Sequence, residues 1–459
     1  MINKMTTNPG IACICLFLFA LGFSSCKQFI AVPAPVDQLN ADDVFTDDKT
    51  ATSAIVGIYS DMESSLPIST YLTLLPGMSA DELTYTSGDQ DFLQFVNNSY
   101  LPDNPYAADV WGIYSTVYKA NACVQGIQKS TGLPPATKDQ LLGEALFSRA
   151  FCYFYLVNLF GDVPLVISTD YLKNDTLSRT LSAKVYTQIT LDLTEAQTLL
   201  SAGYPSDNRV RPNIFTATAL LSRVYLYNNN WANAEAQASS VINSGLYTLS
   251  ALGSAFLYTS NETIWQLMPV NPYFNTQEAV IFIPGDPTLI PTFPLTNGLV
   301  NAFEIGDQRL SAWTGNTVIG NQVFYYPAKY KNSSGSPLSE YHVIFRLAEQ
   351  YLIRAEARAQ QGNITGAIDD LNAIRLRAGL TALPYSLTPN QTAAAVQQER
   401  RIELFAELGH RWLDLKRTSM AGPVLQALKP STWQSRAVLW PVPQGQIGEN
   451  QSLSQNKGY

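Results

Sequence analysis

RLAEQYLIRAEARAQQGNITGAIDDLNAIRLRAGL, residues 346–380, is the stretch that decides the fold. Small and apolar side chains recur every three or four positions on both sides of a polar turn: Leu347, Tyr351, Ala355 and Ala359 before it, and Ala367, Leu371 and Ile374 after it. That spacing places each set on one face of a helix. Gln361-Gly362-Asn363 supplies the turn, and Gly379 ends the second helix. The stretch therefore predicts two helices packed as a hairpin.

A second hairpin is predicted between Ala217 and Gly245, with Asn228-Asn229-Asn230 as its turn. In both hairpins small Ala side chains let the paired helices approach closely, a pattern that resembles tetratricopeptide repeats. Further helical stripes carry Trp111, Tyr114, Tyr118 and Ala122, then Leu142 to Phe160, then Val185 to Ala196. We predict a mostly α fold of dispersed tetratricopeptide-like hairpins, an α/α superhelix, with hairpins at about 111–245 and 342–417.

Two stretches, at about 66–105 and 246–341, lack this helical period. The longer one is rich in Gly, Pro, Asn and aromatic residues and contains two strand-like runs, Thr263–Leu267 and Ala279–Ile283. Binding residues concentrate on loops that a rigid scaffold positions. We therefore expect both stretches to face a ligand, the longer as a loop-rich, aromatic-rich insert containing short strands.

The N-terminus predicts export and a lipid anchor. The uncharged run Ile11–Phe23 is too short to span a membrane, and small residues then lead to Cys26. This order is typical of a bacterial lipoprotein signal. We expect a signal peptide at 1–25, lipidation of Cys26, a tether at 26–38 and a single domain at 39–459. An ordinary secretory signal, with Cys26 as a free thiol, is the alternative.

Composition and charge limit the kinds of partner and reaction that the chain can support. The chain has 459 residues, 46% hydrophobic and 14% charged, which is ample for a large core. Its net charge of −8 and its lack of a dense Lys/Arg run argue against nucleic acid as a partner. Only two histidines occur, and they lack metal-ligand spacing, so a catalytic zinc site is not expected. No phosphate-binding loop motif appears either, and we expect no cofactor.

Two smaller groups leave alternatives open. The acidic residues Asp42, Asp43, Asp47 and Asp48 are expected to cap and charge the first turn of a helix, with a calcium site as the alternative. Cys123 and Cys152 lie in helical patterns and are expected to be small core residues. The sequence leaves open whether these two cysteines pair.

Several segments, taken in order, resemble the SusD/RagB lipoproteins. They are GEALFSRAFCYFYLVNLFGDVPL at 143–165, the hairpin at 217–247, the pair 346–357 and 371–380, ERRIELFAELGHRWLDLKR at 399–417, and the closing residues 439–459. The resemblance implies an outer-membrane lipoprotein that faces the exterior and binds an oligosaccharide or another nutrient. It also implies delivery of that nutrient to a SusC-like TonB-dependent barrel.

The block at 399–417 also raises a catalytic alternative. His410 and Asp414 are four residues apart, and a His–Asp pair can orient a general base. The same block has an apolar helical stripe, Ile402, Phe405, Leu408, Trp412 and Leu415, so we interpret its charges as an ion-pair network that packs with the helix. We expect no enzymatic activity. A hydrolase and a tetratricopeptide-type protein-interaction adaptor at the outer membrane are the alternatives.

Candidate ligand contacts follow from sugar chemistry. A neutral sugar presents apolar C–H faces and a rim of hydroxyls, which flat rings and polar side chains recognise. Trp313 lies in the insert without a motif or core explanation and is the first candidate for stacking. The other candidates are Tyr273, Tyr325, Tyr326, Asp81 and Tyr85. We expect one or two of the six to contact ligand, and glycan, peptide and other nutrients all stay open.

Overall fold

The computed structural model describes residues 43–459, so the predicted signal peptide, Cys26 and the tether lie outside the described residues. The longer helices are α1 Asp48–Ser64, α2 Leu72–Ser79, α3 Gln90–Asn97, α4 Pro105–Trp111, α5 Tyr114–Lys129, α6 Pro135–Phe160, α8 Ser182–Leu199, α9 Ile214–Tyr227, α10 Trp231–Asn243, α14 Leu347–Gln360, α15 Ile364–Arg377, α16 Pro389–Glu403, α17 His410–Arg417 and α18 Ala421–Leu428. The short helices are α7 Tyr171–Asn174, α11 Gln277–Phe282, α12 Asn297–Val300, α13 Gln308–Trp313 and α19 Gln444–Glu449. The strands are β1 Thr263–Leu267, β2 Thr314–Ile319, β3 Gln322–Pro327 and β4 His342–Arg346.

Both predicted hairpins are present, as α9–α10 and α14–α15. Each turn uses one residue with a positive φ, Asn229 at 55° and Gly362 at 83°, a conformation that Gly and Asn adopt most readily. Each second helix is capped by an Asn side chain, Asn230 on α10 and Asn363 on α15. Local periodicity and turn chemistry therefore agree at both places.

The hairpins belong to one helical array, which confirms the predicted fold class. Helix α6 packs against α5 and α8, α8 against α9, and α10 against α14. Small side chains are fully buried where the paired helices meet, among them Ala234, Ala238, Ala355 and Ala367. Helix α6 is buried on almost every side from Leu141 to Phe160, as expected of a helix that is apolar all round. Residues Phe45–Tyr459 form one compact unit.

The insert contains two small antiparallel sheets. Strand β1 matches the predicted run Thr263–Leu267 and pairs with β4, and β2 forms a hairpin with β3. The second predicted run, Ala279–Ile283, is wrong as a strand, because these residues belong to helix α11 and its end. The hydroxyl of Thr276 accepts a hydrogen bond from the Ala279 backbone and caps that helix.

The block at 399–417 is two helices rather than one. Helix α16 ends at Glu403, and the chain turns through Ala406 and Leu408, whose φ values are 48° and 45°. Gly409, with φ of 72°, then begins α17, and a Cβ there would lie 2.9 Å from the Leu72 carbonyl oxygen. The close approach of helix α2 therefore requires glycine at this position and produces the break.

The aromatic stripe from Trp111 to Ala122 is likewise divided. Trp111 ends α4, and Gly112 separates it from α5, where Tyr118 is 52% exposed rather than buried. The stretch 66–105, expected to be loop-rich, contains a π-helical turn at Pro67–Tyr71 and the helices α2 and α3. Helix α2 is wholly buried, so only part of this stretch is free to carry binding residues.

Three further features of the described residues bear on function. Cys123 and Cys152 are both buried and both free, and burial raises the pKa of each thiol. Asp47 caps α1 by accepting hydrogen bonds from the Lys49 and Thr50 backbone amides. Of the helices in residues 43–459, none combines the length and the apolar character that crossing a membrane requires.

Candidate ligand-binding surface

Trp313 lies in the interior rather than at a surface. Its exposed fraction is 0%, and its indole N–H donates to the Leu252 carbonyl at 2.9 Å. The ring meets Phe256 edge-on at 5.6 Å, and the Lys329 ammonium lies 4.8 Å from its centroid. No face of this ring is therefore open to a ligand, and we withdraw Trp313 from the proposed ligand surface.

Asp81 is buried and forms ion pairs with two arginines. Its carboxylate accepts hydrogen bonds from Arg401 and Arg411, which belong to α16 and α17. Burial alone would raise the pKa of Asp81, but the hydrogen bond and charge of Arg411, with the charge of Arg401, lower it below its usual range. These partners occupy both carboxylate oxygens, so we withdraw Asp81 as well.

Tyr85 is partly exposed and lies in a backbone segment that pairs with a loop of the insert. The backbone amides of Thr84 and Thr86 donate to the carbonyls of Pro294 and Thr292 at 2.9 and 3.1 Å. This pairing places Tyr85 beside Phe293, with ring centroids 5.2 Å apart and ring planes inclined by 29°. A long loop of the insert thereby joins the first loop region at this ring pair.

Two short helices bring two more rings to the same place. Helix α3 carries Phe92, and α4 carries Tyr106 in its first turn. Their rings stack with centroids 4.0 Å apart, and Phe92 lies 5.3 Å from Tyr85 and 5.4 Å from Phe293. We name these four residues, Tyr85, Phe92, Tyr106 and Phe293, the Tyr85 cluster. Tyr85, Phe92 and Tyr106 are each partly exposed.

One carboxylate is fixed at the edge of the Tyr85 cluster. Asp89 accepts a hydrogen bond from the Tyr106 hydroxyl at 2.6 Å, and its backbone amide donates to the Tyr85 hydroxyl at 3.2 Å. The hydrogen bond from Tyr106 is the main cause that lowers the pKa of Asp89. The carboxylate is therefore ionised at neutral pH and acts as a hydrogen-bond acceptor of fixed position.

The remaining candidates lie on one strand, β3, and on one loop. Tyr325 is half-buried on β3, and its carbonyl accepts from the Leu295 amide at 2.7 Å, on the segment that also pairs with residues 83–86. Tyr326 is half-buried, with its ring over Gly315, where a Cβ would lie 2.3 Å from the ring. Tyr273 is 69% exposed and lies in another loop, where its carbonyl accepts a hydrogen bond from the Gly335 amide. The structure thus brings Tyr85 and Tyr325 to one segment and leaves Tyr273 on another.

Four members of this surface, Phe92, Tyr106, Phe293 and Asp89, were not among the six predicted contacts. Phe92, Phe293 and Asp89 lie inside the two stretches that the sequence predicts to face a ligand, so all three could have been chosen as candidates. Tyr106 lies one residue beyond the first region, at the start of α4 after the capping residue Asn104. The signal that was missed is an aromatic residue in the first turn of a short helix, a position that faces the preceding loop.

The catalytic alternative at His410 and Asp414 loses its geometric basis. Asp414 accepts hydrogen bonds from Arg400 and Arg417, while the His410 ring lies 3.5 Å from Arg223. Burial, followed by nearby arginine charges, lowers the pKa of His410. Among residues 43–459, no three or more His, Cys, Asp or Glu side chains are grouped to hold a metal ion.

The Tyr85 cluster has the features of a sugar-binding surface. Partly exposed rings offer apolar faces, and a carboxylate and two phenolic hydroxyls supply hydrogen bonds at their edge. Flat rings and a few fixed polar groups are what a saccharide with apolar faces and a hydroxyl rim requires. The arrangement is suited to binding and contains no nucleophile–base pair.

Two protein-family models match the chain. The model described as "SusD family" matches residues 306–459, and the model described as "Starch-binding associating with outer membrane" matches residues 41–226. The second match includes most of the Tyr85 cluster.

Individual proteins are similar over most of their length. The chain is 24% identical to the SusD-like protein P38 of Formosa agariphila, covering 97% of this chain and 98% of that protein. It is 23% identical to the starch-binding protein SusD of Bacteroides thetaiotaomicron, covering 81% and 82% respectively. A solved SusD superfamily protein from Bacteroides vulgatus shares the fold with a TM-score of 0.81 at 20% identity, covering 90% of this chain and all of that one.

Proposed function

This chain belongs to the SusD/RagB family, and from that premise we propose that it binds an oligosaccharide at the outer membrane through the Tyr85 cluster. The observation that carries the proposal is the set of three partly exposed rings, with Phe92 5.3 Å from Tyr85 and 4.0 Å from Tyr106, beside an ionised carboxylate. A sugar ring stacks on Tyr85 or Tyr106, and Asp89 accepts a hydrogen bond from one of its hydroxyls.

Neutral glucans are the first ligands to test. One relative is named a starch-binding protein, and the family model over residues 41–226 is described as starch-binding. A neutral glucan also suits the cluster, because its rings stack on C–H faces and Asp89 would repel an acidic sugar. Tyr325, Tyr326 and Tyr273 stay in the proposal as secondary contacts, since each has an exposed portion.

We propose binding without hydrolysis. A glycosidase uses two carboxyl groups, one of which is held protonated to act as the general acid. Asp89 is held ionised by the Tyr106 hydroxyl, which is the opposite of what a general acid needs. The rings around it bind and orient a sugar without supplying a proton.

The membrane anchor and the partner complete the proposal. Lipidation of Cys26 holds the protein at the outer membrane, the tether 26–38 gives it reach, and the domain 39–459 presents the Tyr85 cluster to ligand. A SusC-like TonB-dependent barrel receives the bound sugar. Mass spectrometry of the N-terminal peptide tests the acylation, and a pull-down from outer membranes tests the partner. An unmodified Cys26, or no barrel in the pull-down, would contradict these two parts.

Isothermal titration with malto- and laminari-oligosaccharides tests the binding itself. Tyr85→Ala removes one stacking ring and is expected to weaken affinity by about 2- to 10-fold, from 0.5–1.5 kcal/mol per aromatic contact. Tyr118→Ala is the matched control, because Tyr118 is an exposed tyrosine on α5 outside the cluster. Equal affinity of Tyr85→Ala and Tyr118→Ala would reject the cluster as the binding surface.

A further inference from the structure

A second cleft lies apart from the Tyr85 cluster, and we name it the Lys416 cleft. Its volume is 450 Å³, within the range of small-ligand sites, and it shares no lining residue with the cluster. The end of α6, the start of α8, the end of α9, the end of α17 and the C-terminal segment form its walls. Its polar and charged lining includes Asp162, Arg179, Tyr227, Lys416, Arg417 and Lys457.

The cleft carries an excess of positive charge. In the part of the chain that the structure describes, neither Arg179, Lys416 nor Lys457 has a carboxylate oxygen within 4 Å. Arg417 is different, because Asp414 and Glu356 pair with it. The one carboxylate in the wall, Asp162, accepts hydrogen bonds from the Ser182 amide and hydroxyl at 2.7 Å each.

Lys416 is held in place with part of its donor capacity unused. Its ammonium donates to the Asn158 carbonyl, and an ammonium has three N–H donors. Burial lowers the pKa of Lys416 to about 7, as expected when desolvation is not offset by a nearby negative charge. An anion in the cleft would supply that missing charge.

Arg179 is positioned in the cleft wall by neutral oxygens. It donates to the carbonyls of Asp162 at 2.6 Å, Ser454 at 3.0 Å and Phe160 at 3.3 Å, and also to the Asn456 side chain, which leaves one of its five N–H groups for a ligand. These contacts fix the guanidinium group at the cleft wall without neutralising it. The group therefore contributes a charge whose position is set before any ligand arrives.

Tyr227 lines the cleft, but its hydroxyl is turned inward. The residue is 8% exposed, and among the described residues its buried hydroxyl has no hydrogen-bond partner. Burial and then the nearby Asp414 charge raise the pKa of Tyr227, so its hydroxyl lies toward the buried ion pairs rather than toward the open cleft. Tyr186 lines the same cleft, and its hydroxyl donates to the Asn158 side chain at 3.0 Å.

We propose that the Lys416 cleft binds the carboxylate of an acidic saccharide, a hexuronate residue, with Lys416 and Arg179 facing the carboxylate. The mixed lining favours a sugar acid over a bare anion. Ser182, Asn158 and Gln455 make internal hydrogen bonds, and each keeps one further donor or acceptor for a sugar hydroxyl. This inference rests on the proposed glycan binding and extends it from neutral to acidic saccharides at a separate site.

Isothermal titration of the purified chain with digalacturonate, its neutral dimethyl ester and inorganic phosphate tests the inference. We expect digalacturonate to bind at least about tenfold more tightly than the ester, since charge-assisted hydrogen bonds are the stronger kind. Lys416→Met, and independently Arg179→Gln, are each expected to weaken digalacturonate binding by about 5-fold or more. Arg179→Gln removes the charge and keeps a side-chain amide that can donate to a neighbouring carbonyl.

Lys138→Met is the matched control, because Lys138 also donates only to backbone carbonyls, those of Gln128 and Ser130, at another part of the fold. It is expected to leave digalacturonate affinity unchanged. Equal affinity for the ester, equal affinity for phosphate, or wild-type affinity in both cleft variants would each overturn the inference. So would the absence of digalacturonate binding.

The two proposals fail separately. If neutral glucans bind and depend on Tyr85 while digalacturonate does not bind, the acidic site is rejected and the proposed function stands. If digalacturonate binding depends on Lys416 while neutral glucans do not bind, the Tyr85 cluster is rejected and the cleft stands.

Discussion

Replacing Glu403 with Gln is expected to destabilise the fold strongly. The Glu403 carboxylate is fully buried and accepts hydrogen bonds from Arg309, Arg346 and Arg377, which come from α13, β4 and α15. Burial alone would raise the pKa of Glu403, but these three arginines lower it below its usual range. A neutral amide keeps the shape of the side chain and removes the charge that the three guanidinium groups share.

The magnitude follows from burial and from the partners that persist. Breaking a buried ion pair by removing one partner costs about 3–5 kcal/mol, because a buried charge is left uncompensated. Glu399 still pairs with Arg309, and Glu407 and Glu262 still pair with Arg346. We therefore expect the lower part of that range, about 3 kcal/mol, for Glu403→Gln.

Urea denaturation at pH 7, followed by tryptophan fluorescence, measures this loss as a shift in midpoint at constant slope. Glu235→Gln is the matched control, since the Glu235–Arg358 pair joins α10 to α14 but is 27% and 21% exposed. That pair is expected to contribute less than about 1 kcal/mol. We infer that the ion pairs of Glu403 with Arg309, Arg346 and Arg377 hold the insert to the helices. Equal losses in the two variants, or a loss of less than about 1 kcal/mol in Glu403→Gln, would contradict this inference.

Three further outcomes are expected in the same assay. The pKa values of Glu407 and Asp414 are lowered, because arginine charges outweigh burial. The stability that these carboxylates contribute is therefore present above the ordinary carboxyl pKa of about 4 and is lost as the pH falls below it. A urea midpoint that stays constant from pH 7 to pH 3 would refute this. Burial, with the nearby Asp81 charge, raises the pKa of Glu82 to about 8, so the stability of the protein falls as the pH rises toward 8. Glu82→Gln should therefore stabilise the protein by on the order of 1 kcal/mol or more at pH 8, and by less at pH 5. A loss of stability at pH 8 would contradict that sign. Thr388→Ala removes the capping box of α16 and should cost about 1 kcal/mol, and no change in the urea midpoint would show that the cap is dispensable.

The helical hairpins could be predicted because their information is local. In α14 and α15 the apolar spacing, the polar turn and the capping Asn363 all lie within one short stretch and agree with one another. The predicted turn at Gln361-Gly362-Asn363 coincides with the observed one. Prediction succeeded where each residue's partner lies within a few turns of the same hairpin.

The breaks could not be predicted because they depend on distant contacts. Apolar spacing continues through Phe405 and Leu408, so periodicity alone extends helix α16 past its real end. The backbone turns there because α2 approaches Gly409 and the Thr73 hydroxyl accepts a hydrogen bond from the Leu408 amide. Gly409 is visible in the local sequence, but the residues that require it, Leu72 and Thr73, lie far away in the chain.

The candidate surface was predicted only in outline, for a related reason. An aromatic residue in a loop-rich stretch has the same local signature whether it is buried, as Trp313 is, or partly exposed, as Tyr85 is. Large rings fill cores as readily as they form binding surfaces. The pairing of residues 84–86 with 292–294 decides which rings meet, and that pairing joins two regions far apart in the chain.

A crystal structure of the chain with a bound malto- or laminari-oligosaccharide tests the central claim most directly. We predict density for a sugar ring stacked on Tyr85 or Tyr106, with one hydroxyl within hydrogen-bond distance of Asp89. Density at another surface, with the Tyr85 cluster unoccupied at saturating ligand, would contradict the account.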